Sequence, residues 1–368
     1  MTVTSTVVPS EDLHETLVST AASKSTDGIV LLATPDEALL TDAFESTLQS
    51  LSVPVFGGIF PEIIHDGINT DSGALVVGLS TEPAVTTVEG LSDSDTAFRE
   101  ALDPRLPAKG YETAFVFVDA YSKQIEQFIE ALFRTYSVEL SVIGGGAGTL
   151  GDERMPCLIT NDGVIGDAAV IAALHAPTTV GVNHGYREIA GPFRVTDAEG
   201  STLHTLDGRP AFEQYGEVLE RHVGGTVTPE TFFEVAKSYP FGISRLDGEQ
   251  LVRDPFAVDD CSMSCFGNVP EGEFLSVLTG DADSLVEATR TAAGHAASGA
   301  VVPETLLFFD CISRVLYLED DFDRELAAVT SHGLPVVGAL TIGEIGNDGA
   351  GHLDYYNKTA VVGAIGDV

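Results

Sequence analysis

The chain has 368 residues, 44% of them apolar, which is enough for a large hydrophobic core and for two or three domains. Its 56 acidic residues outnumber 18 basic ones and give a formal net charge of -38; this argues against nucleic acid or an anionic membrane surface as a partner, because such contacts need clusters of Lys or Arg. The apolar stretches are shorter than the ~20 residues of a membrane span, the N-terminus lacks a signal-peptide pattern, and four cysteines are too few for a disulfide scaffold. We therefore expect a soluble, cytoplasmic protein.

The acidic residues are spread along a chain rich in Val, Ile and Leu, so disorder does not explain the charge. Molar salt shortens the reach of electrostatic repulsion to about 3 Å. The composition therefore suits a protein that folds in very salty cytoplasm, and we expect a halophilic, haloarchaeal source.

The predicted elements repeat along the chain. Three times, a β-rich apolar run is followed by a segment with helical spacing, by a second run that ends in glycine, and later by a third apolar run. With an upstream strand and helix, each copy reads β-α-β-α-β-β, and the copies span about residues 3–79, 84–174 and 273–365. We predict an α/β protein of three related units with mixed sheets.

Between the second and third units, residues 178–271 contain short strand-like runs and two helix candidates. We predict a β-rich linker region there. Because ligands in α/β sheets bind beyond the carboxyl ends of strands, we expect a pocket lined by the glycine-containing loops at 57–62, 144–148 and 338–346.

Two cofactor motifs are incomplete. GAGTLG at 146–151 has G-x-G-x-x-G spacing, but the following DERMPCLITNDG reads as a turn and a strand instead of the helix that a dinucleotide site needs. Cys261 and Cys265 form a close pair without a second pair or a histidine cluster nearby. We expect no cofactor and no metal ion.

Three residues of the third unit could meet at adjacent strand ends. Cys311 and Arg314 lie where the run LLFF ends, and Glu344 lies on the loop after the next strand. Arg314 could hold a ligand carboxylate, or it could pair with Glu344 and fix two loops. Glu62 and Glu344 each precede an isoleucine, which favours a shared role in bracing their loops.

Several stretches resemble the FIST family of sensory proteins, named for F-box and intracellular signal transduction, and the C-terminal ones match in order and spacing. They are VFGGIFPEIIHDG (55–67), VIGGGAG (142–148), VTDAEGSTLHTLDGRPAFEQY (195–215), LVRDPFAVDD (251–260), FFDCISRVLYL (308–318), GEIGNDG (343–349) and YYNKTAVVGAI (355–365). The resemblance implies an N-terminal domain over residues 1–210 and a C-terminal domain over 211–368. Gly58, Ile59 and Phe60 replace the small Cys-Ser-Thr stretch that is usual in the family's first loop.

The resemblance further implies a sensor of a small molecule, with amino acids or their derivatives as candidates, that acts through a separate signalling protein. Its C-terminal motif positions map onto Arg253, Cys311, Arg314, Glu344 and Asn357. The glycine loops add a second set of candidate contacts: Gly57, Gly58, Glu62, Gly144, Gly145, Gly146, Gly338 and Thr341. Arg314 would hold an acidic group and Glu344 an amine. Two alternatives stay open, a hydrolase or amide-processing enzyme with Cys311 as nucleophile and a scaffold without a small ligand.

Overall fold

The structure is a computed structural model that describes residues 3–104, 106, 109–136, 139–151, 154–245, 250–299, 302–347 and 353–367. Within these residues, 25 strands form four sheets, and nine α-helices flank them. The prediction of an α/β protein with mixed sheets is confirmed. The prediction of three related units is confirmed in part, as the individual sheets show.

The first unit forms the first sheet, in the order β1-β6-β2-β3-β10-β11. Its elements are β1 (Val3–Val8), α1 (Leu13–Ala21), β2 (Gly28–Ala33), α2 (Asp42–Ser50), β3 (Val55–Ile59), β4 (Glu62–His65), β5 (Ile68–Thr70) and β6 (Ala74–Leu79). β2 and β6 are buried along their whole length, which explains their unbroken apolar sequences. The Thr41 hydroxyl accepts a hydrogen bond from the Phe44 N–H and so caps α2.

The second unit forms the second sheet, in the order β24-β23-β9-β8-β12-β7. Its elements are β7 (Ala84–Glu89), α3 (Phe98–Ala101), β8 (Thr113–Asp119), α4 (Ile125–Tyr136), β9 (Ser141–Ala147), β10 (Leu158–Thr160), β11 (Gly163–Ile165) and β12 (Ala168–Leu174). The strand predicted after GAGTLG is β10, and Gly146 itself lies within β9.

The linker region contains most of a separate antiparallel sheet, in the order β14-β20-β17-β18-β19-β15-β16. Its elements are β13 (Thr178–Asn183), β14 (Arg187–Glu199), β15 (Thr202–Leu206), β16 (Arg209–Pro210), α5 (Ala211–Val223), α6 (Phe232–Ala236), β17 (Phe241–Ser244), β18 (Gln250–Asp259), β19 (Ser262–Phe266) and β20 (Phe274–Thr279). The predicted β-rich character of this region is confirmed.

The third unit forms the third sheet, in the order β13-β25-β21-β22-β4-β5. Its elements are α7 (Ala282–Ala297), β21 (Val302–Cys311), α8 (Ile312–Leu318), α9 (Phe322–Thr330), β22 (Val336–Thr341), β23 (Glu344–Gly346), β24 (Asp354–Tyr356) and β25 (Ala360–Asp367). α7 begins with a capping box in which Asp281 and Ser284 satisfy each other's backbone N–H groups.

The first strand of the third unit departs from the prediction. The strand expected at its start, β20, belongs to the linker sheet, where it pairs with β14 and β17. The edge position that β1 and β7 occupy in the other two units is taken by β13, which pairs with β25. The third unit therefore recruits its edge strand from a segment that we assigned to the linker.

Each unit also donates a hairpin to another unit's sheet. The β4–β5 hairpin of the first unit pairs with β22, β10–β11 of the second pairs with β3, and β23–β24 of the third pairs with β9. The three exchanges form a closed cycle, and each one covers an edge that would otherwise expose unpaired backbone groups.

One glycine recurs at the same position in all three sheets. Gly57, Gly144 and Gly338 lie opposite Leu31, Val116 and Phe308 on the neighbouring parallel strand. A Cβ atom at these glycines would lie only 1.8, 2.0 and 1.7 Å from the carbonyl oxygens of those partners. Close packing of backbone therefore accounts for these glycines.

The inner faces of the three sheets share one hydrophobic core. Phe56 of the first sheet packs on Phe115 of the second, with ring centroids 5.5 Å apart, and Phe117 packs edge-on against Phe309 of the third at 5.6 Å. The helices lie on the outer faces of the sheets. A cavity lies between the ends of β8 and β21 and the strands β18 and β19 of the linker sheet.

Candidate functional site

A cavity of about 750 Å³ lies at the carboxyl ends of β8 and β21. Ala120 and Tyr121, which follow β8, form one side, and Cys311 to Ser313, at the end of β21, form another. The linker sheet closes it with residues of β18 and β19. The cavity follows the rule that ligands bind beyond strand ends, and its volume is in the range of small-molecule sites.

The deepest polar residues are Asp254, Asn357 and Lys358, here called the cavity floor. The ammonium of Lys358 lies 3.2 Å from Asp254 Oδ2 and donates to the carbonyl of Lys237 at 3.2 Å. Lys358 is fully buried and has a left-handed backbone with φ of 50°, an uncommon conformation for a residue other than glycine. Burial raises the pKa of the Asp254 carboxyl, while Lys358 and Ser313 oppose the rise. The floor thus presents a paired cation and anion to the cavity.

Asn357 carries an acceptor that lacks a hydrogen bond. Its side chain is 3% exposed, lines the cavity, and its Oδ1 has no hydrogen-bond partner within the described part of the chain. A buried acceptor without a partner costs about 1–3 kcal/mol. A ligand N–H or O–H donor would remove this cost.

Cys311 also lines the cavity, at the point where β21 ends and α8 begins. Its thiol lies close to the Glu344 carboxyl. Burial and the nearby Glu344 carboxyl raise the pKa of the Cys311 thiol above its usual range. The thiol is therefore in its weakly nucleophilic, protonated form at neutral pH.

Glu344 lies behind the cavity wall and is fully buried in β23. Its carboxyl accepts hydrogen bonds from the Thr341 hydroxyl at 3.0 Å and from the Thr359 backbone N–H at 3.2 Å. Burial raises the pKa of Glu344 to about 8, against the lowering effect of these hydrogen bonds. Glu344 therefore ties the turn at 342–343 to the start of β25.

Arg314 lies in a closed ionic cluster and does not line the cavity. Its guanidinium approaches Asp310 Oδ1 to 3.0 Å and pairs with Glu325, and all three side chains are fully buried. It also donates to the carbonyls of His184, Leu285 and Lys358. Burial alone would lower the pKa of Arg314, but Glu325 and Asp310 raise it further above its usual range. Arg314 and Glu344, both described, form no ion pair with each other. The alternative in which these two residues pair to fix two loops is therefore wrong.

Arg253 lies behind the cavity wall as well. Its N–H groups donate to the carbonyls of Asn268 at 2.9 Å, Val252 at 3.0 Å and Tyr355 at 3.1 Å. Burial lowers its pKa. Arg253 holds the two segments that carry Asn268 and Tyr355, and those two residues do line the cavity.

Of the expected ligand contacts, Cys311 and Asn357 line the cavity. Six glycines of the three loops lie inside strands, where an added Cβ atom would meet neighbouring strands or loops: Gly57, Gly58, Gly144, Gly145, Gly146 and Gly338. Thr341 donates to Glu344 and to the carbonyl of Asp310. The structure thus brings the loop at 338–346 to the cavity only through Ile342 and Gly343.

Glu62 and Glu344 are not equivalent. Ile64 and Ile345 face the recurring glycines Gly338 and Gly144, so Glu344 corresponds to Ile63, one residue away from Glu62. A shift of one residue places a side chain on the opposite face of a strand. Glu62 is partly exposed and accepts from Asn69. The shared bracing role that the sequence favours is therefore wrong.

Sequence reasoning missed the two charged residues of the floor, Asp254 and Lys358. Scarcity is a signal that could have found them, because the chain has only five lysines. Three of the five, Lys123, Lys237 and Lys358, line this cavity.

Two family models together match residues 27–347. The FIST N domain matches residues 27–209, and the FIST C domain matches residues 211–347. The chain belongs to the FIST family. Tyr121, Lys123 and Arg154 come from the FIST N match and Phe233 from the FIST C match, so the cavity lies between the two domains.

A protein of Methanocaldococcus jannaschii that carries the description uncharacterized is 23% identical over 194 residues. The aligned stretch covers 50% of this chain and 38% of that relative. Within the described ranges, no helix has the length and apolar character needed to cross a membrane. Nor do the described residues include a group of three or more His, Cys, Asp or Glu side chains placed to hold a metal ion.

Proposed function

We propose that the protein is a cytoplasmic sensory protein in signal transduction that binds a small molecule, an amino acid or a derivative of one, in the cavity between its FIST domains. The observation that carries the proposal is the cavity floor, where a buried ion pair lies beside an acceptor that has no hydrogen bond from the residues the structure describes. A ligand carboxylate would meet Lys358, and a ligand ammonium would meet Asp254 and Asn357 Oδ1.

Arg314 and Glu344 do not hold the charged groups of the ligand in this arrangement. Both side chains are already engaged by protein groups, and neither lines the cavity. Lys358 replaces Arg314 as the partner of an acidic group, and Asp254 replaces Glu344 as the partner of an amine. The chemistry expected from the sequence is kept, while the residues that supply it change.

A ligand in this position would contact both domains at once. Tyr121 and Arg154 on one side and Phe233 on the other belong to different domain matches. Binding would favour the arrangement in which both sets of contacts form, and a separate signalling protein would read that arrangement. We also propose a halophilic origin, from the charge of the chain.

The cysteine-enzyme alternative has less support. The Cys311 thiol has a raised pKa, and the described residues that line the cavity include no histidine to act as a base. Turnover of a bound compound that disappears in Cys311→Ala would revive the alternative.

The test uses Asn357→Leu, assayed in molar KCl by thermal shift and calorimetry against the twenty amino acids. Because leucine removes an acceptor without a partner, we expect the unliganded variant to be at least as stable as the wild type. We expect its affinity for the compound that stabilises the wild type to fall at least tenfold. Gln127→Leu, on the exposed face of α4, is the matched control and should bind normally. If none of the twenty amino acids stabilises the wild type, the proposal fails.

A further inference from the structure

The opening of the cavity is apolar, in contrast to the rest of the surface. Leu150, Phe233, Phe256 and Leu316, here called the cavity rim, are 56%, 48%, 36% and 47% exposed. They are four of the ten large exposed apolar side chains in the described chain. A cluster of exposed apolar side chains at one opening is typical of a binding surface. It contrasts with the acidic character of a chain whose net charge is -38.

The cavity also carries a different charge from the rest of the chain. Among its described lining residues, four are basic (Lys123, Arg154, Lys237 and Lys358) and three are acidic (Glu126, Glu199 and Asp254), a local balance of +1. Two of the basic groups lie over aromatic rings, Arg154 at 5.0 Å from the Tyr121 ring centroid and Lys237 at 5.6 Å from that of Phe233. Such a lining favours a neutral zwitterion or an anion over a ligand with net positive charge.

Polar and apolar groups are separated by depth. The floor is buried and polar, and the rim is exposed and apolar. Lys237 links the two levels, because its carbonyl accepts from the Lys358 ammonium while its own ammonium lies at the rim over Phe233. A ligand that satisfies both levels has a charged end that enters first and an apolar end that stays near the opening.

We propose that the ligand is a zwitterionic α-amino acid with a large apolar or aromatic side chain. Its carboxylate lies at Lys358, its ammonium at Asp254 and Asn357 Oδ1, and its side chain against Phe233 and Phe256. This inference rests on the proposed function and narrows it: amino acids with small, or with cationic, side chains are poor ligands.

The first experiment compares probes by calorimetry in molar KCl. Phenylalanine and leucine are expected to bind at least tenfold more tightly than alanine or serine, and lysine and arginine to bind most weakly. N-acetylphenylalanine and phenylalanine amide each lack one charge of the zwitterion, and both should lose at least tenfold in affinity. Equal affinity for serine and phenylalanine, tight lysine binding, or unchanged binding of N-acetylphenylalanine would overturn the inference while leaving a small-molecule sensor in place.

The second experiment changes the rim. The double variant Phe233→Ser/Phe256→Ser removes exposed side chains, so we expect it to fold as the wild type does. Its affinity for phenylalanine should fall about ten- to a hundredfold, while weak alanine binding stays unchanged. Phe274→Ser, at a position 50% exposed on β20 and outside the cavity lining, is the control and should alter neither. Normal phenylalanine binding by the double variant would contradict the rim contact, and absence of binding by every amino acid to the wild type would instead remove the proposed function itself.

Discussion

Replacement of Arg314 by methionine tests whether this residue is structural. The substitution removes the cation that pairs with Asp310 and Glu325, both fully buried. It also leaves the carbonyls of His184 and Leu285 without the N–H donors they have now. Breaking a buried ion pair on one side costs about 3–5 kcal/mol, because the remaining charge has no compensation. We expect the free energy of unfolding to fall by this amount.

The loss should depend on pH in a defined direction. Burial raises the pKa of the Asp310 carboxyl above its value in the unfolded chain, and Arg314→Met removes the guanidinium that opposes this rise. A group with a raised folded pKa contributes stability that is present at low pH and is lost as pH rises. Arg314→Met should therefore be less destabilising at pH 5 than at pH 8.

The assay is urea unfolding in molar KCl followed by far-UV circular dichroism, since the chain has no tryptophan. Two further variants serve as comparisons in the same assay. The triple variant Arg314→Met/Asp310→Asn/Glu325→Gln should recover much of the lost stability, because no buried charge is left behind. Arg324→Met, which breaks exposed pairs with Asp283 and Asp321, should leave the midpoint nearly unchanged. If Arg314→Met keeps wild-type stability yet abolishes ligand binding, the reasoning is refuted and Arg314 is a ligand contact.

Three further predictions concern Glu344, the recurring glycine and salt. Glu344 has a pKa of about 8 in the folded protein and about 4.3 in the unfolded chain, so its contribution to stability is lost as pH rises. The free energy of unfolding of the wild type should therefore fall by about 2–3 kcal/mol between pH 6 and pH 9. Glu344→Gln should reduce this fall, and equal pH profiles for the two proteins would disprove the prediction. Gly338→Ala places a Cβ atom 1.7 Å from the Phe308 carbonyl oxygen and should lower the free energy of unfolding in urea by about 3 kcal/mol or more. Gly216→Ala, on α5 with no atom near the added Cβ, should raise it by up to about 1 kcal/mol. Similar losses for both variants would argue against the packing explanation. An increase of KCl from 0.1 to 1 M shortens the Debye length from about 10 to about 3 Å and should raise the melting temperature; a lower one would contradict the halophilic interpretation.

The sequence was sufficient to predict the units because apolar periodicity is a local property. Continuous apolar runs such as those of β2, β8 and β21 predict strands buried on both faces, and turn residues mark the ends of these strands. It was not sufficient for the exchange of hairpins, because pairing of β4 with β22 joins segments more than 270 residues apart, with no pattern in either strand that specifies the other. The change of partner of β20 was hidden for the same reason.

The site was predictable only where chemistry and position coincide. Cys311 follows a buried strand and does line the cavity, in agreement with the rule about strand ends. Arg314 lies three residues later, yet the helical turn carries its guanidinium away from the cavity and toward Glu325. Asp254 and Lys358 meet only because the linker sheet folds over the third unit, and a sequence read in order cannot show that contact.

The cyclic exchange of hairpins has a consequence for how the chain becomes a protein. β4 ends at residue 65, but its partner β22 begins only at residue 336. During synthesis the hairpin of the first unit therefore cannot pair until most of the third unit has been made. No cut between units leaves two complete halves, since each half would miss a strand that the other holds. The three repeats share a pattern, but none of them is structurally complete alone, and contacts between such distant segments make slow folding the expected behaviour.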